Sequence, residues 1–243
     1  MTQKDSVPQQ KDAIPQQQGL YDPRQEHDAC GIGLVANIKG LQSHEIIRQG
    51  LTVLMNLDHR GARGAEPNSG DGAGILLQIP HGFLKKSFSK LGIVIPDPGE
   101  YAVGMIFLPQ DPALREECEK ILVKIVQTEG QTLLGWRTVP TCDTSLGNSA
   151  KLCQPFMRQI IIGRNPELKD ELAFERKLYL IRKQAEKAIR YSGIQGYDSF
   201  YVASLSARTI VYKGMLIPEQ LSQFYPDLSD PAMESALALV HSR

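Results

Sequence analysis

No stretch of this sequence is apolar for long enough to cross a bilayer. The longest apolar runs, YAVGMIFLP (101–109) and QIIIG (159–163), are strand-sized, far short of the ~20 residues a spanning helix needs. Neither sign of charge is in excess, since 27 Lys and Arg stand against 27 Asp and Glu. Such a balance leaves no electrostatic footprint for nucleic acid or an anionic membrane, both of which require surplus Lys and Arg. Cysteine is sparse: the four, at 30, 118, 142 and 153, form no CxxC pair and have no zinc-ligand spacing, so no metal site is expected. Free thiols in a reducing, cytoplasmic setting are the plain reading. The opening MTQKDSVPQQKDAIPQQQ has neither the apolar core nor the small-residue cleavage site of a secretory signal. What remains is ordinary: 243 residues, 42% of them apolar, enough for one large folded domain or two small ones.

Residues 1 to about 20 are rich in Gln, Pro, Lys and Asp and offer nothing to bury, so a disordered tail is expected. From Cys30 the pattern is that of a fold. Residues 31–38 read as a buried first strand, with glycines where another backbone approaches closely. Residues 43–55 read as a helix with Ser43 as N-cap and Ile46, Ile47, Leu51, Leu54 and Met55 on its apolar stripe. The tract DHRGARGAEPNSGDGAG (58–74), with 5 glycines among 17 residues, is a loop. It leads into a strand at 75–79.

Further strands are expected at 101–108, 132–139 and 157–163, and helices at 112–126 and 173–191. The middle of the chain thus resembles a small α/β insertion. Residues 200–206 and 209–215 read as an antiparallel pair, and residues 236–243 as a last strand. Strands and helices mix without regular βαβ alternation, which predicts the α+β class rather than a doubly wound sheet. The helical face Leu114, Cys118, Ile121, Leu122, Ile125 makes Cys118 a core thiol. Cys142 and Cys153 flank a loop and read as small hydrophobes.

Cys30 admits two readings, a small hydrophobe at a strand mouth or a nucleophile placed at a strand start. SGDGAG (69–74) also admits two. It lacks the full GxGxxG and GxxxxGK[ST] patterns of phosphate cradles, and no Lys follows its glycines. As a tight loop around a catalytic centre it fits better, because glycine lets backbone amides come close to a ligand. Arg60 and Arg63 could be loop caps, and His59 a structural hydrogen-bonder.

A cysteine opening a glycine-rich strand (ACGIGLVAN), LDHRGARGAEPNSGDGAGILLQIP, SARTIVYKGMLIPEQLSQFYPDL and a terminal ALALVHSR occur here in that order. Together they resemble the class II glutamine amidotransferases, enzymes with an N-terminal nucleophile. Within these, residues 21–243 are similar to the start of the large subunit of the glutamate synthases. The resemblance implies a four-layer αββα sandwich with two antiparallel sheets, present here in part. It also implies two regions: a tail and propeptide over 1–29, removed at the Ala29–Cys30 bond, and the amidotransferase portion over 30–243. Cys30 would be the nucleophile. Arg60 would help build the glutamine pocket and Arg243 would pair with the α-carboxylate of glutamine. Gly70, Asp71 and Gly72 would form the structural loop beside them.

The chemistry of that arrangement is plain. A free thiol has a pKa of about 8.5 and is mostly protonated at neutral pH, whereas an α-amino group at about 7.7–8.0 suits a general base. Cleavage before Cys30 would therefore place nucleophile and base on one residue. Before cleavage its nitrogen is an amide without useful basicity, so an uncleaved chain would be a zymogen. The resemblance further implies that ammonia made here aminates 2-oxoglutarate elsewhere. FMN and an iron–sulfur cluster would belong to the rest of a longer enzyme, with no cofactor in this segment. The family's oxyanion donors, an Asn-Gly pair, come after the stretch ending at Arg243. The chain thus looks like the first piece of a longer protein, cut inside its first domain. It is expected to be inactive alone, with the last strand at an open sheet edge, unpaired backbone groups and an apolar face uncovered. A non-catalytic fragment, another class II amidotransferase and a phosphate-binding module remain as rivals.

Overall fold

The computed structural model describes residues 30–62, 64, 66–194 and 196–243, with Gly19 and Asp22 before them. The Gln-rich tail, the Ala29–Cys30 bond and Arg63 lie outside the described residues. The chain runs β1 (Gly31–Ala36), α1 (His44–Asn56), β2 (Ala73–Gln78) and α2 (His81–Ser89), then β3 (Tyr101–Leu108), α3 (Pro112–Thr128), β4 (Thr132–Thr138) and α4 (Asn148–Leu152). It continues through β5 (Phe156–Gly163), α5 (Glu171–Arg190), β6 (Tyr201–Ser206), β7 (Thr209–Gly214), α6 (Gln220–Phe224) and β8 (Leu237–Ser242).

The longer helices follow from their sequences. Asp111 caps α3 by accepting from the amides of Ala113 and Leu114, both at 2.9 Å, with Pro112 at the first position, where a missing N–H costs nothing. Asp170 caps α5 through the Ala173 amide at 2.6 Å. On α5 the inward stripe is the expected Leu178, Ile181, Ala185 and Ile189, joined by Phe174. Ser43 does precede α1, but its side chain makes no cap bond. Its backbone instead bridges to Ser235, with N–H···O distances of 3.1 and 3.3 Å.

Both sheets have four antiparallel strands, in the orders β1-β8-β2-β7 and β4-β5-β3-β6. The expected α+β class, with antiparallel sheets and flanking helices, is what the structure shows. The second sheet, with α3 and α5 on one face, has the β-α-β-β-α-β split topology. It is inserted between β2 and β7, which are themselves paired neighbours (Gln78↔Thr209). One core joins α1 and α2 to a face of the first sheet and to Tyr101, Val103, Met105 and Ile161 of the second. The other lies between the second sheet and α3/α5, and holds Cys118 with no exposed surface.

Four sequence expectations need correction. The first strand is not buried on both sides: Ile32 and Leu34 are 68% and 64% exposed, because β1 is an edge strand covered by α1 on one face only. Met55 lies off the buried stripe of α1, half exposed. The last strand is not at an edge, since β8 pairs with β1 on one side and β2 on the other. The strands β6 and β7 are consecutive but belong to different sheets, with the Val211 amide reaching the Ser204 hydroxyl at 3.1 Å. The glycines of β1 do mark close approach, since a β-carbon at Gly33 would collide with Val53 of α1; in α1 itself, a β-carbon at Gly50 would come 2.6 Å from that of Ala238.

Candidate active site

The candidate residues converge at one end of the first sheet, where β1 begins, β2 begins and β8 ends. Cys30 is exposed and immediately precedes β1. Gly31 and Ala73 both pair with Ser242, so one further step of the antiparallel register sets Cys30 opposite Arg243. Because Gly31 and Ser242 face α1, strand alternation puts His241 and Arg243 on the other face, where both line a cleft; Cys30 and Arg60 stand beside that cleft and are not among the residues lining it.

Arg60 closes a 3-10 turn at Asp58–Arg60 that follows α1. A β-carbon at Gly31 would lie 3.0 Å from that of Arg60, so the arginine stem rests against the residue next to Cys30. A β-carbon at Gly61 would lie 2.6 Å from the Ser242 hydroxyl oxygen; glycine lets the turn sit flush on the end of β8. Backbone bonds then sew the loop to that end. The Ala62 amide donates to the Arg243 carbonyl (2.7 Å), the Arg243 amide to Gly72 (2.9 Å), and the Asp71 amide to Ala62 (3.1 Å). His59 bonds the Asn56 carbonyl through Nδ1 at 2.9 Å, the structural role expected of it.

Asp71, Gly72 and Arg243 line a cleft of about 510 Å³ on the open face of the first sheet, walled by His241, Lys213 and Leu239 and, from the second sheet, Phe107 and Tyr201. Lys213 donates to the Tyr201 hydroxyl at 2.8 Å. Lys213 and Arg243 bring two positive charges to the cleft against the one negative charge of Asp71, a balance that favours a carboxylate ligand. Gly70 is buried beneath Leu216 and Ile217 and does not line the cleft. SGDGAG runs into β2, not into a helix, and so lacks the helix N-terminus on which a phosphate cradle depends.

A family model described as glutamine amidotransferases class-II matches residues 30–243, its first matched residue being Cys30. The chain belongs to that family. Among curated relatives of this amidotransferase, the glutamate synthase (NADPH) large chain of Bacillus subtilis (strain 168) is 52% identical over 226 residues, 93% of this chain and 14% of that protein. The glutamate synthase (NADH) of Saccharomyces cerevisiae is 43% identical over 93% of this chain and 11% of its own length. The ferredoxin-dependent glutamate synthase 2 of Synechocystis sp. is 40% identical over 90% and 14%. The chain therefore spans 11–14% of the length of these relatives, whose names differ in electron donor.

Among the described residues no group of three or more His, Cys, Asp or Glu could hold a metal ion. Cys118 sits in a core as expected, whereas between β4 and β5 Cys142 is half-buried and Cys153 exposed, so neither packs as the small core hydrophobe the sequence suggests. No helix among the described residues is long and apolar enough to cross a membrane.

Sequence reading missed the polar network behind the cleft. Arg137 forks onto Asp227 at 2.6 and 2.8 Å and reaches Gln159 Oε1 at 2.9 Å; Gln159 Nε2 donates to the Tyr212 hydroxyl (2.9 Å), which donates to Asp227 (3.0 Å). All four side chains are buried, and burial first, then the Asp227 charge, pushes the Tyr212 hydroxyl well above its ordinary pKa. The satisfied network ties the second sheet to β7. Its only sequence signal is polar residues inside otherwise apolar strands.

Proposed function

We propose that this chain carries the glutamine-hydrolysing step of a glutamate synthase, with Cys30 as nucleophile. The observation that carries the reading is that Cys30 directly precedes Gly31, which rests against the Arg60 turn and pairs with Ser242, the residue before the cleft-lining Arg243. The family match beginning at Cys30 supports the proposed division into a removable segment 1–29 and an amidotransferase region 30–243.

In the mechanism, the α-amine freed at Cys30 takes the thiol proton, and the thiolate attacks the side-chain carbonyl carbon of glutamine. The resulting ammonium returns a proton to the departing nitrogen, giving ammonia and a γ-glutamyl thioester. Water, activated by the same amine, releases glutamate. Arg60 shapes the pocket, and the guanidinium of Arg243 binds the α-carboxylate with a planar fork that lysine cannot supply. Asp71 and Gly72 hold the loop that borders it. In the rest of a longer polypeptide, ammonia would aminate 2-oxoglutarate, and FMN and an iron–sulfur cluster would supply the electrons. The free cysteines accord with a cytoplasmic setting.

The test is intact mass and peptide mapping of the protein after treatment with 6-diazo-5-oxo-norleucine, a glutamine-like alkylating reagent. One adduct, on Cys30 of a chain starting at Cys30, is expected, with Arg60→Lys raising the half-saturating reagent concentration roughly ten-fold. Labelling elsewhere, or unchanged saturation in that variant, would remove the support for these roles.

A further inference from the structure

We infer that Glu66 and Gln220 are positioning residues, through which the inserted unit and the segment after β7 hold the glycine-rich loop at the cleft mouth. The inference rests on reading that mouth as the glutamine site.

The loop is gripped from two sides just before it enters the site. On one side, Glu66 Oε2 accepts from the Ser69 hydroxyl at 3.1 Å and from the Ser149 amide at 3.3 Å. Ser149 lies in α4, within the connection from β4 to β5 of the inserted unit. The Gly147 amide donates to the Asn68 carbonyl at 3.2 Å, and a β-carbon at Gly147 would collide with the Glu66 carboxylate and the Ser69 hydroxyl. The Ser149 amide above all, with the Ser69 hydroxyl, holds the Glu66 carboxyl below its ordinary pKa, so it is ionised at neutral pH.

On the other side, Gln220, only 2% exposed, donates from Nε2 to the carbonyls of Asn68 (2.9 Å) and Ser145 (2.6 Å). Its Oε1 accepts from the Ile217 amide at 3.0 Å. One side chain thus joins the loop, the β4–β5 connection and the segment after β7. Gly70 completes the grip, since a β-carbon there would lie 2.6 Å from the Leu216 carbonyl oxygen.

The next two residues are Asp71 and Gly72, which line the cleft and bond Ala62 and Arg243. Neither Glu66 nor Gln220 lines the cleft, and their bonds go to Ser69, Asn68, Ser149, Ser145 and Ile217, so both act through the loop. Loosening the grip should weaken retention of glutamine and leave the intrinsic reactivity of Cys30 alone.

The experiment uses the full-length polypeptide as expressed from its own gene, with Glu66→Ala and the milder Glu66→Gln, whose amide oxygen can still accept both bonds. Hydrogen exchange in peptides covering 61–72 is measured against a β3 peptide as control. Inactivation by 6-diazo-5-oxo-norleucine is measured against alkylation of Cys30 by iodoacetamide. Glu66→Ala should speed exchange in the loop but not in β3. It should raise the half-saturating concentration of the glutamine-like reagent roughly ten-fold, the size expected for losing a pair of hydrogen bonds, with the iodoacetamide rate within about two-fold, a difference small in free energy. Glu66→Gln should recover most of both effects. Unchanged loop exchange, unchanged saturation, or equal loss with both reagents would overturn the inference. A wild-type protein that reacts with iodoacetamide but never with the glutamine-like reagent overturns the glutamine reading instead, and loop exchange still decides whether Glu66 holds the loop.

Discussion

Strand β3 is covered along both faces, by α3 and α5 on one side and by the core beneath the first sheet on the other. Strand β1 alternates between α1 and solvent, and with Leu239 of β8 it leaves an apolar strip on the open face. The closed sheet belongs to the inserted unit, and the open sheet carries Cys30 and Arg243. The contrast separates two tasks. Apolar side chains are removed from water on both faces of the closed sheet, whereas the groups with chemistry stand beside the sheet that is covered on one face only.

The sharpest way to test that division is Cys30→Ser in the full-length polypeptide. Glutamine-dependent turnover should fall by on the order of a thousand-fold or more, with activity on added ammonia and the unfolding temperature unchanged. A matching fall in ammonia-dependent turnover would show that the open sheet has no separate chemical task. The converse change is Phe174→Ala, inside the α3/α5 core with no exposed surface. It should cost about 3–5 kcal/mol of stability in urea while leaving alkylation of Cys30 in the folded protein unaltered. A loss below about 1 kcal/mol, the size of an average substitution, would mean that Phe174 is not closely packed between α3, α5 and the second sheet.

A smaller effect should appear at Cys118. Burial, reinforced by the Glu117 and Glu119 carboxylates, raises its thiol pKa from 9.0 to about 11. The folded thiol keeps its proton where the unfolded one ionises, so this contribution is fully present below the unfolded pKa and is lost as pH climbs towards the folded one. Urea midpoints between about pH 8.5 and 11, the range spanned by ordinary and shifted thiol values, should fall less steeply in Cys118→Ala. Identical slopes would refute the assignment. The smallest effect belongs to the open strip: Ile32→Ser, at 68% exposure, should shift the stability of this chain by no more than about 0.5 kcal/mol. A larger cost in a longer polypeptide would show that something packs there.

Most elements were legible because period and punctuation agree. The stripe on α5 and the Asp-Pro start of α3 each point one way, and β3 is a continuous apolar run. Sheet membership was not legible. A two-residue turn, Ala207–Arg208, reads as a hairpin whether or not its strands share a sheet, and nothing in ALALVHSR says that it slots between β1 and β2. Exposure of Ile32 and Leu34 was hidden for the same reason, since an apolar run records what a strand prefers and not what covers it. The candidate site residues Cys30, Arg60 and Arg243 were picked out by motif resemblance. Glu66 and Gln220 have no motif or period, and their arrangement exists only once three separated segments meet.

The pairing of Gln78 with Thr209, backed by the Ile79 amide donating to the Arg208 carbonyl at 2.9 Å, also constrains the order of assembly. In the unfolded chain, residues 79–208 form one long loop between these partners, and closing such a loop has an entropic cost before any contact offsets it. The inserted unit has shorter-range contacts of its own, and its completion brings residues 79 and 208 together. Completing the guest thus lowers the entropic cost of the register that aligns β2 with β7.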